Sequence, residues 1–132
     1  MTRLKIPRAA ARLLLLSSML ATSFGLQAET FTGKLNGHDC AERGTSCPVD
    51  KLDPHVTLET DFVLQVASGD YYFLVNVPRD VKVRHVLETV DVSGDANRKY
   101  NAITVDSLKV DGREVWSQAE QQAEYDRLFK GR

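Results

Sequence analysis

The sequence predicts an all-β domain, a small five-stranded, partly open barrel followed by one C-terminal helix. Two patterns carry that prediction. Val56, Leu58, Thr60, Phe62, Leu64 and Val66 recur at every second position, the period of a strand with one apolar face. Ser117 stands three residues before Glu120, a spacing that lets each side chain satisfy an orphan backbone N–H at the start of a helix.

The elements follow in order. Residues 1–28 read as a cleavable leader: Arg3, Lys5, Arg8 and Arg12 form a basic start, and Leu13 to Leu26 is apolar or small. That run is shorter than the ~20 residues a membrane span needs. With Ala28 at the expected cut, residues 29–132 form the exported domain, and the expected address is periplasmic or secreted. Removing four basic residues from a chain of formal net charge −1 leaves the remainder at about −5. A surplus of negative charge disfavours nonspecific attachment to nucleic acid. No nucleic acid partner is therefore expected, and no membrane span remains after cleavage.

Glu29 to Leu35 is a first strand. A polar loop is expected over 36–55, carrying Cys40, Gly44, Cys47, Pro48 and Pro54. The alternating strand ends at Ser68-Gly69-Asp70, a turn, and Tyr71 to Val77 returns as its hairpin partner until Pro78 removes a ladder donor. Residues from Arg79 to Arg84 fit either an extended segment or a short helical crossover. Glu88 to Val92 is a further strand, and Ala102 to Val110 the last. Ile103 and Val105 fall on one parity and Leu108 and Val110 on the other, so a bulge near Ser107 is expected. The helix spans 117–129.

This layout resembles the OB-fold, and small exported bacterial modules of that fold in particular. The segments carrying the resemblance are Phe31 to Leu35, Phe62 to Val66 with Tyr72 to Leu74, Val90 to Gly94, and Ile103 to Val105. Members of this fold group bind nucleic acids, sugars, proteins or small ligands, so the resemblance alone does not select a function. The expected function is a non-catalytic binding or accessory role, with an envelope protein or a small anionic ligand as partner and no cofactor.

Arg79, Lys82, Arg84 and His85 are the basic cluster of the exported part, and Tyr72 and Tyr100 supply stacking surface, so these six are the expected binding residues. Cys40 and Cys47 are expected to form a structural disulfide, as paired cysteines in exported chains commonly do. The six intervening residues argue against catalytic thiol exchange, which uses a tighter dithiol. The alternative is a metal-handling or thiol protein. There His38, Cys40, Cys47 and His55 offer two nitrogens and two sulfurs to copper or zinc. Glu59 and Asp61 read as wet-face carboxylates of the alternating strand. No serine elbow, phosphate loop or metalloprotease helix is present.

Overall fold

Strand β1 (Glu29–Gly37) uses both of its edges. Its first half pairs antiparallel with β4 (Thr89–Asn97), from Glu29 opposite Gly94 to Lys34 opposite Thr89. Its second half pairs antiparallel with β2 (Phe62–Val66), from Gly33 opposite Val66 to Gly37 opposite Phe62. A strand shared this way must bend, and Gly33 sits where both ladders overlap. A Cβ there would press on the carbonyl of Gln65. The computed structural model describes residues 28–49 and 55–130. The expected leader lies outside the described residues except for Ala28.

The remaining pairings close the ring. Strand β3 (Tyr71–Leu74) forms the expected hairpin with β2, and β5 (Ala102–Val110) forms one with β4. Strands β3 and β5 then meet in parallel, Phe73 opposite Ala102 and Leu74 opposite Ile103, so the five strands form a closed OB-like barrel. Closure leaves neither β3 nor β5 as an open edge within the ring. A sixth strand, β6 (Arg113–Ser117), extends the sheet beyond β5 and was not expected. Its turn holds Asp111 and Gly112 at positive φ, 49° and 74°.

Parity explains the core. Ile103, Val105 and Leu108 are each fully buried although they do not share one strict alternation. The register shifts between Ser93 and Gly94: Ser93 faces Ser107 while Gly94 faces Val105, leaving Asp106 as the extra residue of the predicted bulge. One inserted residue flips every later side chain to the other face, so both parities reach the same interior. Leu35, Leu64, Leu74, Val90 and Val92 complete that interior, and Trp116 closes it from β6.

Three helical elements depart from a pure barrel. Helix α1 (His38–Glu42) and helix α2 (His55–Leu58) stand where the sequence predicts an uninterrupted loop and the first half of an alternating strand. The apparent period-two pattern at Val56 and Leu58 is therefore coincidental. Leu58 is exposed, and the backbone there closes a helical turn through the bond from the Glu59 N–H to the His55 carbonyl, 3.0 Å. Helix α3 (Arg79–Arg84) crosses from β3 to β4. The chain ends in α4 (Gln118–Phe129), capped by Ser117, whose oxygen accepts the Glu120 N–H. Among the described residues no helix is long and apolar enough to cross a membrane.

Candidate metal centre

The first residues after β1 build one wall of a polar pocket. Asn36 is 1% exposed and uses its whole amide. Its oxygen accepts the N–H groups of Gly37 and Cys47, at 3.0 and 2.8 Å. Its nitrogen donates to the Thr45 carbonyl and to Gln65 Oε1, at 2.7 and 2.9 Å. A buried amide satisfied on both ends fixes its neighbours firmly, because breaking any one bond strands a polar atom. Asn36 thereby ties the loop bearing Cys47 to the barrel. Cys40 comes inward from α1, and both cysteines are buried.

The opposite wall comes from α2 and the residue after it. His55 and Glu59 stand four apart, which places them on one side of a helical turn. Their side chains meet at 3.0 Å, Nε2 to Oε1. His55 Nε2 also lies 3.2 Å from Cys40 Sγ, and Cys47 Sγ lies 3.9 Å from Glu59 Oε1. The second carboxylate oxygen of Glu59 accepts the Asp39 N–H at 3.0 Å. Gly37 makes room for this group: a Cβ at that position would overlap the Glu59 carboxyl.

Four donor atoms therefore converge, two sulfurs, one imidazole nitrogen and one carboxylate oxygen, each within 4.8 Å of every other. Tetrahedral zinc with bonds of ~2.3 Å to sulfur and ~2.0–2.1 Å to nitrogen or oxygen requires donor separations of roughly 3.3–3.8 Å. The observed contacts of 3.0, 3.2 and 3.9 Å bracket that range. Separations as wide as 4.8 Å would have to shorten by about 1 Å for a tetrahedral ion. No protein-family model, curated protein or solved structure matches the chain.

The electrostatics suit thiols that stay neutral until a cation arrives. Burial pushes the Cys40 thiol up from 9.0 to about 12, with Glu59 and Cys47 adding to the effect. Cys47 is raised too, again chiefly by burial and despite hydrogen bonds from Cys40 and the Gly37 N–H that favour its thiolate. Burial would also raise Glu59, but the Asp39 N–H, Cys40 and His55 together outweigh it and hold the carboxyl below its ordinary 4.5.

The predicted site residues divide sharply. Of the expected metal set, Cys40, Cys47 and His55 come together, whereas His38 does not. Its ring packs against Tyr71 and Phe73, at centroid distances of 5.5 and 5.0 Å. Glu59 takes the fourth place. It is 4% exposed and not on a wet strand face, which corrects the sequence reading. The sulfurs of Cys40 and Cys47, expected as a disulfide, stand near each other and unbonded in the described structure.

The six expected binding residues do not form one surface. Because residues 79–84 are helical, Lys82 and Arg84 point different ways. Lys82 is 3% exposed and meets Asp61 at 2.5 Å, while Arg84 pairs with Asp80 at 3.0 Å on the outside. His85 Nδ1 lies 2.8 Å from Glu88. Tyr72 packs beside Phe31 with centroids 5.5 Å apart, and Tyr100 is exposed in the β4–β5 turn.

Arg79 has a different place. It lies over the Phe62 ring and donates to the carbonyls of Glu59 and Val56, at 3.1 and 3.3 Å. It thus braces the backbone that presents His55 and Glu59. Asp61 continues the brace, accepting the His38 N–H through its carbonyl, 2.9 Å, and the Phe62 N–H through its carboxylate, 2.8 Å.

Of the residues missed in the sequence, Glu59 carried a usable signal in its four-residue spacing from His55. Asn36 carried none, since an isolated Asn after a strand reads as an ordinary turn residue.

Proposed function

We propose that this chain is an exported, non-catalytic zinc-binding protein whose metal is held by Cys40, Cys47, His55 and Glu59. The observation that carries the reading is the convergence of these four donors from three separate segments, each donor atom within 4.8 Å of the rest. Random polar burial is a poor account of such an arrangement. A buried carboxylate costs free energy unless it is paired or ligates a metal.

The donor set favours zinc. Two thiolates suit a borderline-soft ion, imidazole suits it equally, and a carboxylate is a poor ligand for Cu(I). Four protein donors fill a tetrahedral shell, which is the pattern of a holding site. Hydrolytic zinc keeps one position for water. The contacts around the donors support the same reading, with the Asp39 N–H on the free oxygen of Glu59 and the Arg79 brace behind it. Such outer partners orient ligands and raise affinity.

Binding would also order the cap of the barrel. Helices of five and four residues are far too short to persist alone. A metal joining α1, the Cys47 loop and α2 supplies what their own hydrogen bonds do not.

Cobalt substitution tests the proposal. Reduced protein titrated with Co²⁺ is expected to develop intense tetrahedral d–d bands and sulfur-to-metal charge transfer at one equivalent, and zinc is expected to bleach both. Weak octahedral bands alone would overturn it.

A further inference from the structure

We infer that the centre is a redox-gated zinc site, in which a small hydroperoxide converts the two sulfur ligands to a Cys40–Cys47 disulfide and expels the ion. The inference rests on the zinc reading above and adds its regulation.

The first observation is the pairing of the sulfurs. Both thiols of the site are each other's neighbours within 4.8 Å, and the described structure leaves them unbonded. A disulfide needs them at ~2.05 Å, so closure requires a shift of no more than ~3 Å. That shift falls on the segment between them. Arg43, Gly44, Thr45 and Ser46 are exposed, and Gly44 turns at φ 69° with open space where a side chain would project. Asn36 holds the Thr45 carbonyl and the Cys47 N–H, so the movement falls on the cysteine side chains and on the turn at Arg43 and Gly44.

The second observation concerns what remains. His55 and Glu59 already meet at 3.0 Å, and Glu59 keeps the Asp39 N–H. When both sulfurs leave the metal, the other two donors fall back on each other. The oxidised site therefore leaves no stranded charge, and it retains only one nitrogen and one oxygen, too few to hold zinc tightly.

Access selects the oxidant. Cys40 and Cys47 are 3% and 1% exposed, out of reach of a protein thiol oxidase or a bulky disulfide. The His55 side chain is 31% exposed and is the open side of the centre. An oxidant as small as hydrogen peroxide is the class suited to thiols this buried.

The chemistry balances without another reagent. One zinc-bound thiolate attacks the O–O bond, forming a sulfenic acid and releasing hydroxide. The second thiolate attacks that sulfur, forming the S–S bond and displacing a second hydroxide. Two electrons pass from the sulfurs to the peroxide, and Zn²⁺ leaves with no change of its own oxidation state.

The test treats reduced, zinc-loaded full chain with hydrogen peroxide beside a chromogenic zinc chelator, with intact mass read in parallel. The expected result is release of the bound zinc together with a loss of about 2 Da in the monomer, both reversed by a thiol reductant and fresh zinc. Zinc retained through peroxide treatment, or release accompanied by a gain of about 32 Da from sulfinic acid, overturns the gate while leaving the zinc site standing. A reduced chain that takes up no zinc at the outset overturns the site itself.

Cys47→Asp supplies the second arm, offering an oxygen ligand in place of one sulfur. With no second sulfur to complete the S–S bond, peroxide is expected to release its zinc more slowly than from the parent and without the loss of about 2 Da. Release at the parent's rate in this variant would show that the intramolecular disulfide is not the gate.

Discussion

The barrel and its cap are held together by different physics. In the barrel, Leu35, Leu64, Ile103 and Leu108 are fully removed from water, and the strands close on themselves through the parallel β3–β5 ladder. In the cap, residues 38–49 and 55–59 contribute few large apolar side chains, and Leu58 and Val49 are exposed. Order there comes from a handful of named polar contacts around Asn36, Glu59 and Arg79. In our account the barrel rests on its own apolar core, whereas the cap depends on the barrel and on zinc.

The comparison breaks first at the barrel. Leu64→Ala is expected to cost about 2–5 kcal/mol in denaturant unfolding, with or without zinc, because the cavity lies in the apolar interior. A variant whose loss disappears on adding zinc would mean that the two regions share one core.

Next comes the brace. Arg79→Ala is expected to weaken zinc binding about 10- to 100-fold, as loss of a partner behind a metal ligand generally does. Competition with a chelator of known affinity reads this directly, and far-UV circular dichroism of the barrel is expected to stay as in the parent chain. Unchanged affinity would remove Arg79 from the site.

The dependence on pH sharpens the contrast. In the metal-free chain Cys40 is held neutral up to about 12. Its folded-state value lies above the ordinary 9.0, so its contribution is full below pH 9 and is lost as pH rises toward 12. Glu59 acts in the other direction: held below 4.5, it contributes above that pH and its contribution is lost as acid protonates the folded carboxyl. Thermal unfolding of metal-free protein is therefore expected to weaken at both extremes. Zinc affinity is expected to rise with pH, since binding must displace the thiol protons.

The smallest expected effect lies where β6 passes into α4. Ser117→Ala removes the cap of α4, at a cost of about 1 kcal/mol, with zinc binding untouched.

The same contrast decides what could be read from the sequence. The barrel was legible because burial in a sheet repeats: Leu64, Val66, Val90, Val92, Ile103 and Val105 mark their strands by spacing, and even the bulge at Asp106 showed as a change of parity. Strand β6 was hidden because Glu114, Val115 and Trp116 are too short a run to stand apart from the helix that follows.

The cap was legible only in part. Cys40, Cys47 and His55 announced themselves by residue type, but convergence in space has no period. His38 looked like a ligand and packs on aromatic rings, while Glu59 looked like a solvated acid and is buried. The Glu59 N–H bond to the His55 carbonyl closes a helical turn before Phe62, braced by the Arg79 guanidinium, and that turn brings Glu59 inward. The basic residues of α3 were legible as a cluster, yet the helix sends each to a different partner.

The most direct test of the central claim is X-ray absorption on the reduced chain loaded with one zinc. The account predicts two sulfur neighbours at ~2.3 Å and two nitrogen or oxygen neighbours at ~2.0–2.1 Å. A first shell of nitrogen and oxygen alone, or of four sulfurs drawn from two chains, would contradict it.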